Sequence, residues 1–143
     1  VTAENAEHAR ERLLYGAFLA GSSFAAAGSG LHHKICHALG GAFDLPHAET
    51  HAVVLPHVLA FNEPAVLDAA AAMANALGGE SASAGLAALY AEIGAPKTLA
   101  ELGLTREQLA EAIDIVAAKL PIENPRPVDR DAVAEILTAA YGE

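Results

Sequence analysis

Basic side chains are scarce in this sequence of 143 residues, and tryptophan is absent. Lysine and arginine together number 8 against 18 aspartates and glutamates, which gives a formal net charge of -10. Nucleic acids and anionic membrane surfaces are bound by clustered lysine and arginine, and the sequence contains no such cluster. We therefore expect no nucleic acid and no membrane among its partners, while a small anion remains a candidate ligand through local charge.

Cysteine is nearly absent as well, since Cys36 is the single one and excludes an internal disulfide. We expect a cytoplasmic protein, because one thiol fits a reducing compartment and no secretory leader is recognisable. The stretch from Leu13 to His33 lacks charged Asp, Glu, Lys and Arg and approaches a membrane span in length, but glycine and serine interrupt it. We predict instead a buried helix, part of which another domain or subunit covers.

The remaining sequence has the hydrophobic period of helices and no alternating strand pattern. It predicts an all-α fold, a helical bundle forming one domain over residues 1–143. Predicted helices cover 4–27, 31–39, 47–61, 65–77, 81–93, 96–102, 105–119 and 129–141, with an extended segment at 120–128. Gly40 and Gly41 are expected to end the second helix, and Thr105 with Gln108 has the spacing of a capping box.

Histidine is concentrated in one segment, since six of the seven lie between His32 and His57. On a helix His33 and His37 share one face, four residues apart, and His47 and His51 repeat that spacing beyond the Gly-Gly pair. The two pairs are predicted to face one another. Converging imidazoles suit a metal ion or an anionic substrate, so this segment is the candidate site.

Less specific interpretations stay open for these residues. A non-catalytic zinc-binding helical domain would use His33, His37 and His47 with Cys36 or Asp44 nearby, although structural zinc sites usually contain more cysteine. The other polar residues have simpler interpretations: His32 outward or structural, His57 inside a helix, His8 at the surface, and Cys36 a small buried apolar residue.

The string HHKICHALGGAFDLPHAETHAVVLPHVLAFN, from His32 to Asn62, resembles the metal-site region of the iron-containing alcohol dehydrogenases in their maleylacetate reductase branch. The positions of His33, His37 and His47 match that family, and ENPRP at Glu123–Pro127 also fits. The resemblance implies the C-terminal helical domain of such an enzyme, a dehydroquinate synthase-like fold. It further implies that the N-terminal dinucleotide-binding domain is absent from this chain.

The resemblance also implies roles for single residues. His33 and His47 match two metal ligands, for iron or zinc, and the other two ligands of the family would precede Val1. His37 matches a histidine that relays protons, and His51 is the candidate for recognising an acidic substrate. The expected cofactor is NADH, held mainly by the missing domain or a partner chain, and we expect a homo-oligomer.

The implied reaction is reduction of maleylacetate to 3-oxoadipate in the degradation of aromatic compounds, with the isolated chain expected to be inactive. Hydride from NADH would reach the alkene carbon, leaving an enolate that needs a proton and charge stabilisation. Histidine can supply both near neutral pH. A metal-dependent alcohol dehydrogenase domain, with the ion polarising a carbonyl, is the alternative.

Overall fold

The computed structural model describes residues 3–143, with side chains from residue 5 onward. Seven α-helices and one short 3-10 turn follow in order: α1 Ala3–Ala27, α2 Leu31–Phe43, α3 His47–Asn62, the 3-10 turn Glu63–Ala65, α4 Leu67–Leu77, α5 Ala82–Ile93, α6 Arg106–Ala117 and α7 Arg130–Tyr141. No strand occurs over this described range, which confirms the all-α prediction.

The main hydrophobic core lies among α2, α3, α6 and α7. Helix α3 is central, since it packs on α2, on α5 and on α7. The largest fully buried side chains of the core share helical spacing on the inner faces and include Leu31, Ile35, Leu39, Val53, Val54, Leu109, Val133 and Leu137. Pairing of α2 with α3 in this core fixes where their histidines stand.

Helices α4 and α5 form a smaller second cluster against α3, built on Leu59, Ala70, Ala82 and Leu86. The Glu63 carboxylate connects it to the end of α3: Glu63 accepts hydrogen bonds from the backbone N–H of Ala82 at 2.7 Å and from Ser83 Oγ at 2.6 Å. Ser81 caps α5 by accepting the N–H of Ala84 at 3.1 Å.

The largest differences from the predicted helices are the end of α2 and the segment 96–102. Helix α2 does not end at Gly40 and Gly41 but continues to Phe43, whose ring packs against the core. It ends at Asp44, which takes a left-handed conformation (φ 52°) and donates its N–H to the Gly40 carbonyl. Residues 96–102 form turns rather than a short helix. The capping box of Thr105 and Gln108 is confirmed, with both reciprocal hydrogen bonds present.

The predicted extended segment at 120–128 contains no helix, and it anchors the end of α3. Asn62 and Asn124 exchange amide hydrogen bonds of 3.0 and 2.7 Å. Arg126 donates from Nη1 to the Phe61 carbonyl at 3.2 Å and places its guanidinium 4.1 Å from the centroid of the Phe61 ring. The ENPRP motif therefore has a structural role in the described chain, since it satisfies carbonyl and amide groups where α3 ends.

Helix α1 differs from the prediction because its apolar side chains are exposed rather than buried. Leu13 is 74% exposed and Phe18 66%, and Tyr15 and Leu14 are similarly open. No element within 3–143 covers this helix along its length. The described helices also include none that is long and apolar enough to cross a membrane.

Candidate histidine site

Helices α2 and α3 bring five histidines together in what we call the histidine cluster. It consists of His32, His33 and His37 on α2 and His47 and His51 on α3. Because the two helices pack side by side through the main core, the histidine spacing on each is converted into contacts between them. The cluster lies on the partly solvated side of this helix pair, where His37 and His47 are exposed and the others half-buried.

The spacing argument correctly predicts that the two histidine pairs face one another. The ring centroid of His37 lies 6.2 Å from that of His33 on its own helix and 6.0 Å from that of His47 on α3. The His37 and His47 rings are nearly parallel, at an interplanar angle of 27°. The imidazoles of His33, His37 and His47 therefore line one surface rather than separate faces.

His51 occupies the centre of the cluster. Its ring centroid lies 4.5 Å from that of His47, 4.8 Å from those of His32 and His33, and 6.2 Å from that of His37. The Nε2 atom of His51 is buried and has no hydrogen-bond partner among the described residues. A buried polar nitrogen without a partner is costly, so this atom marks a place where a ligand would be stabilising.

His32 was predicted to point outward or to be structural. It is the main residue of the cluster that sequence reasoning missed. The ring is half-buried, and its Nε2 lies 3.0 Å from the backbone carbonyl oxygen of His51, to which a protonated Nε2 donates. The only sequence signal was its position next to His33, since neighbours on a helix point about 100° apart and can still flank one cleft.

Burial and mutual repulsion keep the inner imidazoles uncharged. The pKa of His51 is lowered to about 4, first by burial and then by the neighbouring histidines. Burial is also the main cause that lowers the pKa of His32 and of His33. At neutral pH these three rings are therefore neutral, each with one N–H donor and one nitrogen lone pair.

Ring nitrogens of His32, His33 and His51 lie within 4.8 Å of one another, close enough to be considered as joint metal ligands. His47, which the resemblance assigns to the metal, is not part of this group of three. The structure thus groups His33 with two imidazoles other than the one predicted.

Residues of the zinc-binding alternative are placed less favourably. Cys36 is buried, with Sγ 3.9 Å from the Thr50 carbonyl oxygen, and burial raises the pKa of its thiol to about 12. Zinc binds the thiolate, so a thiol of this kind is a poor ligand. Asp44 is exposed beyond the end of α2. The interpretation of Cys36 as a small buried apolar residue agrees with this surrounding.

Two further histidines lie outside the cluster. His57 is half-buried beside a cavity of about 240 Å³ between α3 and α5, which Tyr90 and Lys97 also line, and burial lowers its pKa. His8 is exposed on α1, where Nδ1 lies 3.3 Å from the Glu11 carboxylate. His57 inside a helix and His8 at the surface are both as predicted.

Phe24 connects α1 to the cluster. Its ring stacks on His33 with centroids 4.5 Å apart and an interplanar angle of 28°. The aromatic face covers one side of the His33 ring and restricts its rotation.

Comparison with known proteins identifies relatives for almost the whole chain. Residues 1–141 match the C-terminal part of the Fe-containing alcohol dehydrogenase family. Over 133 residues, 93% of the chain, the sequence is 50% identical to a maleylacetate reductase of Burkholderia cepacia, of which it covers 38%. The chain therefore spans well under half the length of this relative.

Solved structures give the same result. The chain is similar to an iron-containing alcohol dehydrogenase from Corynebacterium glutamicum, with a TM-score of 0.83 and 51% identity over 91% of this chain and 37% of that one. It is also similar to maleylacetate reductase from Rhizobium sp. strain MTP-10005, with a TM-score of 0.74 and 46% identity over 80% of this chain and 32% of that one.

Proposed function

Because this chain belongs to the Fe-containing alcohol dehydrogenase family, we propose that it forms the helical, substrate-facing part of a maleylacetate reductase. The single observation that carries the proposal is the histidine cluster, in which five imidazoles from α2 and α3 lie together at positions that fit proton transfer to a small acidic substrate. Eight maleylacetate reductases that are 41–50% identical to this chain over at least 92% of its length support this substrate over a simple alcohol.

The proposed reaction reduces the carbon-carbon double bond of maleylacetate. NADH, held mainly outside this chain, would supply the hydride for one alkene carbon and leave as NAD⁺. The resulting enolate of the neighbouring ketone needs one proton to become 3-oxoadipate, and this chain would supply it. The hydride chemistry belongs to the cofactor, while this chain binds the substrate and handles the proton.

We assign the proton transfer to His37. Its ring is exposed and lies between His33 and His47, where a bound substrate and solvent can both reach it. An imidazole at such a place can give a proton to the enolate and regain one from water.

His51 is proposed to contact the substrate through hydrogen bonding. With its pKa lowered to about 4 the ring is neutral at pH 7, so it offers an N–H donor to a carboxylate rather than a positive charge. Because the His51 ring is half-buried, it would favour a substrate whose carboxylate reaches the ring over a substrate without that carboxylate.

The metal that the family implies fits these residues only in part. His33 and His47 stay proposed ligands by resemblance, yet among the residues that the structure describes the grouped ring nitrogens belong to His32, His33 and His51. Two nitrogens are fewer than the three protein ligands of a typical catalytic zinc site. We therefore derive no step of the reaction from an ion at His33 and His47.

A nucleotide-binding domain is proposed as the partner of the exposed α1 surface. Leu13, Leu14, Tyr15 and Phe18 lie along α1, and each is more than 60% exposed. Contiguous exposed apolar side chains are typical of a surface that contacts another domain or subunit. A domain packed there would bury this surface. The same domain would place NADH near the histidine cluster, beside Phe24. A homo-oligomer remains part of this proposal.

The assignment of His37 is tested by His37→Ala in the full-length enzyme. Loss of a proton donor that acts in the transition state is expected to lower kcat about 100-fold or more while KM for maleylacetate changes little. His57→Ala is the matched control, since His57 is a half-buried histidine on α3 outside the cluster, and it should leave kcat close to the parent value.

An unchanged kcat in His37→Ala would remove His37 from the reaction. Substrate class is tested separately by comparing maleylacetate with simple aldehydes and alcohols as substrates of the same enzyme. Preferential turnover of an alcohol, dependent on added iron or zinc, would favour the metal-dependent alcohol dehydrogenase instead.

A further inference from the structure

We propose that the cavity between α3 and α5 is a second small-molecule site, which binds an apolar acid with a single carboxylate. The cavity has a volume of about 240 Å³ and is bounded by α3, by α5 and by the segment 95–97 that follows α5. The proposal does not rest on the reductase function, since this binding requires neither the histidine cluster nor NADH.

The cavity lies on the side of α3 that faces away from the histidine cluster. The residues that line it from α3 are Ala52, Val53, Pro56 and His57. Successive residues turn by about 100°, so these side chains leave the helix between about 100° and 240° round from His51. Helix α5 packs on that side, while α2 packs on the side of the cluster. A ligand in the cavity would therefore be separated from the cluster by α3.

The size and the walls of the cavity suit a small apolar molecule. Alanine, valine and proline form most of the lining, with Ala87 and Ala91 contributing from α5. An apolar cavity of about 150 Å³ is large enough to bind benzene. A volume of about 240 Å³ therefore accommodates one ring with a small polar substituent.

Three polar side chains, those of His57, Tyr90 and Lys97, complete the lining. No hydrogen bond or ion pair joins the polar atoms of these side chains to another residue within 5–143. An apolar cavity with a few polar groups that lack a protein partner is typical of a ligand site. These groups are therefore available to a ligand.

The charges of the lining indicate a ligand with one negative charge. Burial lowers the pKa of His57 and raises that of Tyr90, so both side chains are uncharged at neutral pH and the phenol can donate its proton in a hydrogen bond. Lys97 then supplies the one full positive charge, which matches one carboxylate. Maleylacetate carries two carboxylates, so this site differs from the substrate site in the ligand that it favours.

The segment that carries Lys97 is held in place by its backbone. Ala95 donates its N–H to the Tyr90 carbonyl at 3.0 Å, and Lys97 donates its own N–H to the Glu101 carboxylate at 2.9 Å. Pro96 lies between them and has a fixed φ. Only the exposed side chain of Lys97 needs to become ordered when a carboxylate binds, which keeps the entropic cost of binding small.

The site is tested by fluorine NMR titration of the full-length protein with para-fluorobenzoate, with unlabelled benzoate and benzamide as competitors. The parent protein should bind one equivalent of the probe. Benzamide has the same ring with an uncharged substituent, and it should bind about fivefold more weakly than benzoate, or weaker still.

Two variants locate the bound ring and its carboxylate. Lys97→Met removes the charge and should weaken benzoate about fivefold or more while leaving benzamide unchanged. Lys119→Met, at an exposed lysine outside the cavity, is its control. Ala91→Leu fills part of the cavity and should weaken both ligands about tenfold or more. Ala88→Leu, at an exposed position of α5 that does not line the cavity, is the matched control.

Three results would overturn the proposal. One is absence of binding by the parent protein. Another is unchanged benzoate affinity in Lys97→Met or in Ala91→Leu with a circular dichroism spectrum like that of the parent. The third is competition of benzoate with maleylacetate that Ala91→Leu leaves unchanged, since the acid would then bind at the histidine cluster. Turnover of maleylacetate without benzoate is measured alongside and reports on the reductase function by itself.

Discussion

Helix α1 and the pair formed by α2 and α3 are both rich in apolar residues, yet the apolar residues of α1 are exposed and those of the pair are buried. Leu39 on α2 is fully buried, whereas Leu13 on α1 is 74% exposed. The pair finds neighbours in α6, α7 and α5, and α1 finds none along its length in the described chain. A hydrophobic sequence therefore predicts that a helix tends to be buried. The position of the helix in the fold determines which neighbour buries it.

The largest effect expected from this difference concerns activity. We predict that a polypeptide of these 143 residues alone has no measurable turnover of NADH with maleylacetate. The domain proposed to pack on α1 and to hold NADH would be missing. The substrate would contact only the side chains that α2 and α3 supply. A steady-state assay of NADH oxidation beside a full-length relative tests this. Comparable rates would contradict both the incomplete cleft and the covered α1 surface.

Stability should differ sharply between matched leucines of the two regions. Leu39→Ala removes a fully buried side chain and is expected to cost about 2–5 kcal/mol in free energy of unfolding. Leu13→Ala in the same 143 residues should change it by less than about 0.5 kcal/mol, because the side chain is already in water. Urea denaturation of both variants measures the difference.

The same two variants then report on the cover. In the full-length protein Leu13→Ala should become clearly more destabilising, since the leucine would be buried there, while the cost of Leu39→Ala should stay similar. An equally small effect of Leu13→Ala in both contexts would mean that α1 remains solvated.

The histidine cluster should make stability depend on pH. Because the folded-state pKa of His51, about 4, is below the unfolded value of about 6.5, the unfolded chain binds more protons between these two values. The free energy of unfolding should therefore have its full value above pH 6.5 and decrease as the pH falls toward 4. His32 and His33 act in the same direction.

His51→Gln should flatten this dependence when denaturation is compared at pH 7 and pH 5. His8→Gln is the control, because His8 is exposed on α1 and belongs to the uncovered region. If both variants follow the parent equally, the cluster does not couple protonation to folding.

Local patterns predicted much of the fold from the sequence. The capping box at Thr105 and Gln108 and the cap at Ser81 depend on a few neighbouring residues, so they could be identified directly. The end of α2 could not, because packing of Phe43 on the core outweighs the helix cost of Gly40 and Gly41.

The candidate site was predictable to the same extent. Spacing alone placed His33 with His37 and His47 with His51, since four residues make about one helical turn. The central position of His51 and the inward turn of His32 depend on how α2 and α3 rotate against each other, which the main core determines. No local pattern contains that rotation, so the grouping of His32, His33 and His51 emerges only in three dimensions.

The smallest effect is expected where the two regions meet, at the stack of Phe24 on His33. Phe24→Ala should cost about 0.5–1.5 kcal/mol beyond the lost apolar area, the usual contribution of an aromatic pair. It should also shift the NMR signal of the His33 ring, because the ring current of Phe24 acts at a centroid separation of 4.5 Å. Phe18→Ala, on the same helix and 66% exposed, should leave that signal in place. Equal shifts from both variants would mean that α1 moves as a whole and that its contact with the cluster is not specific to Phe24.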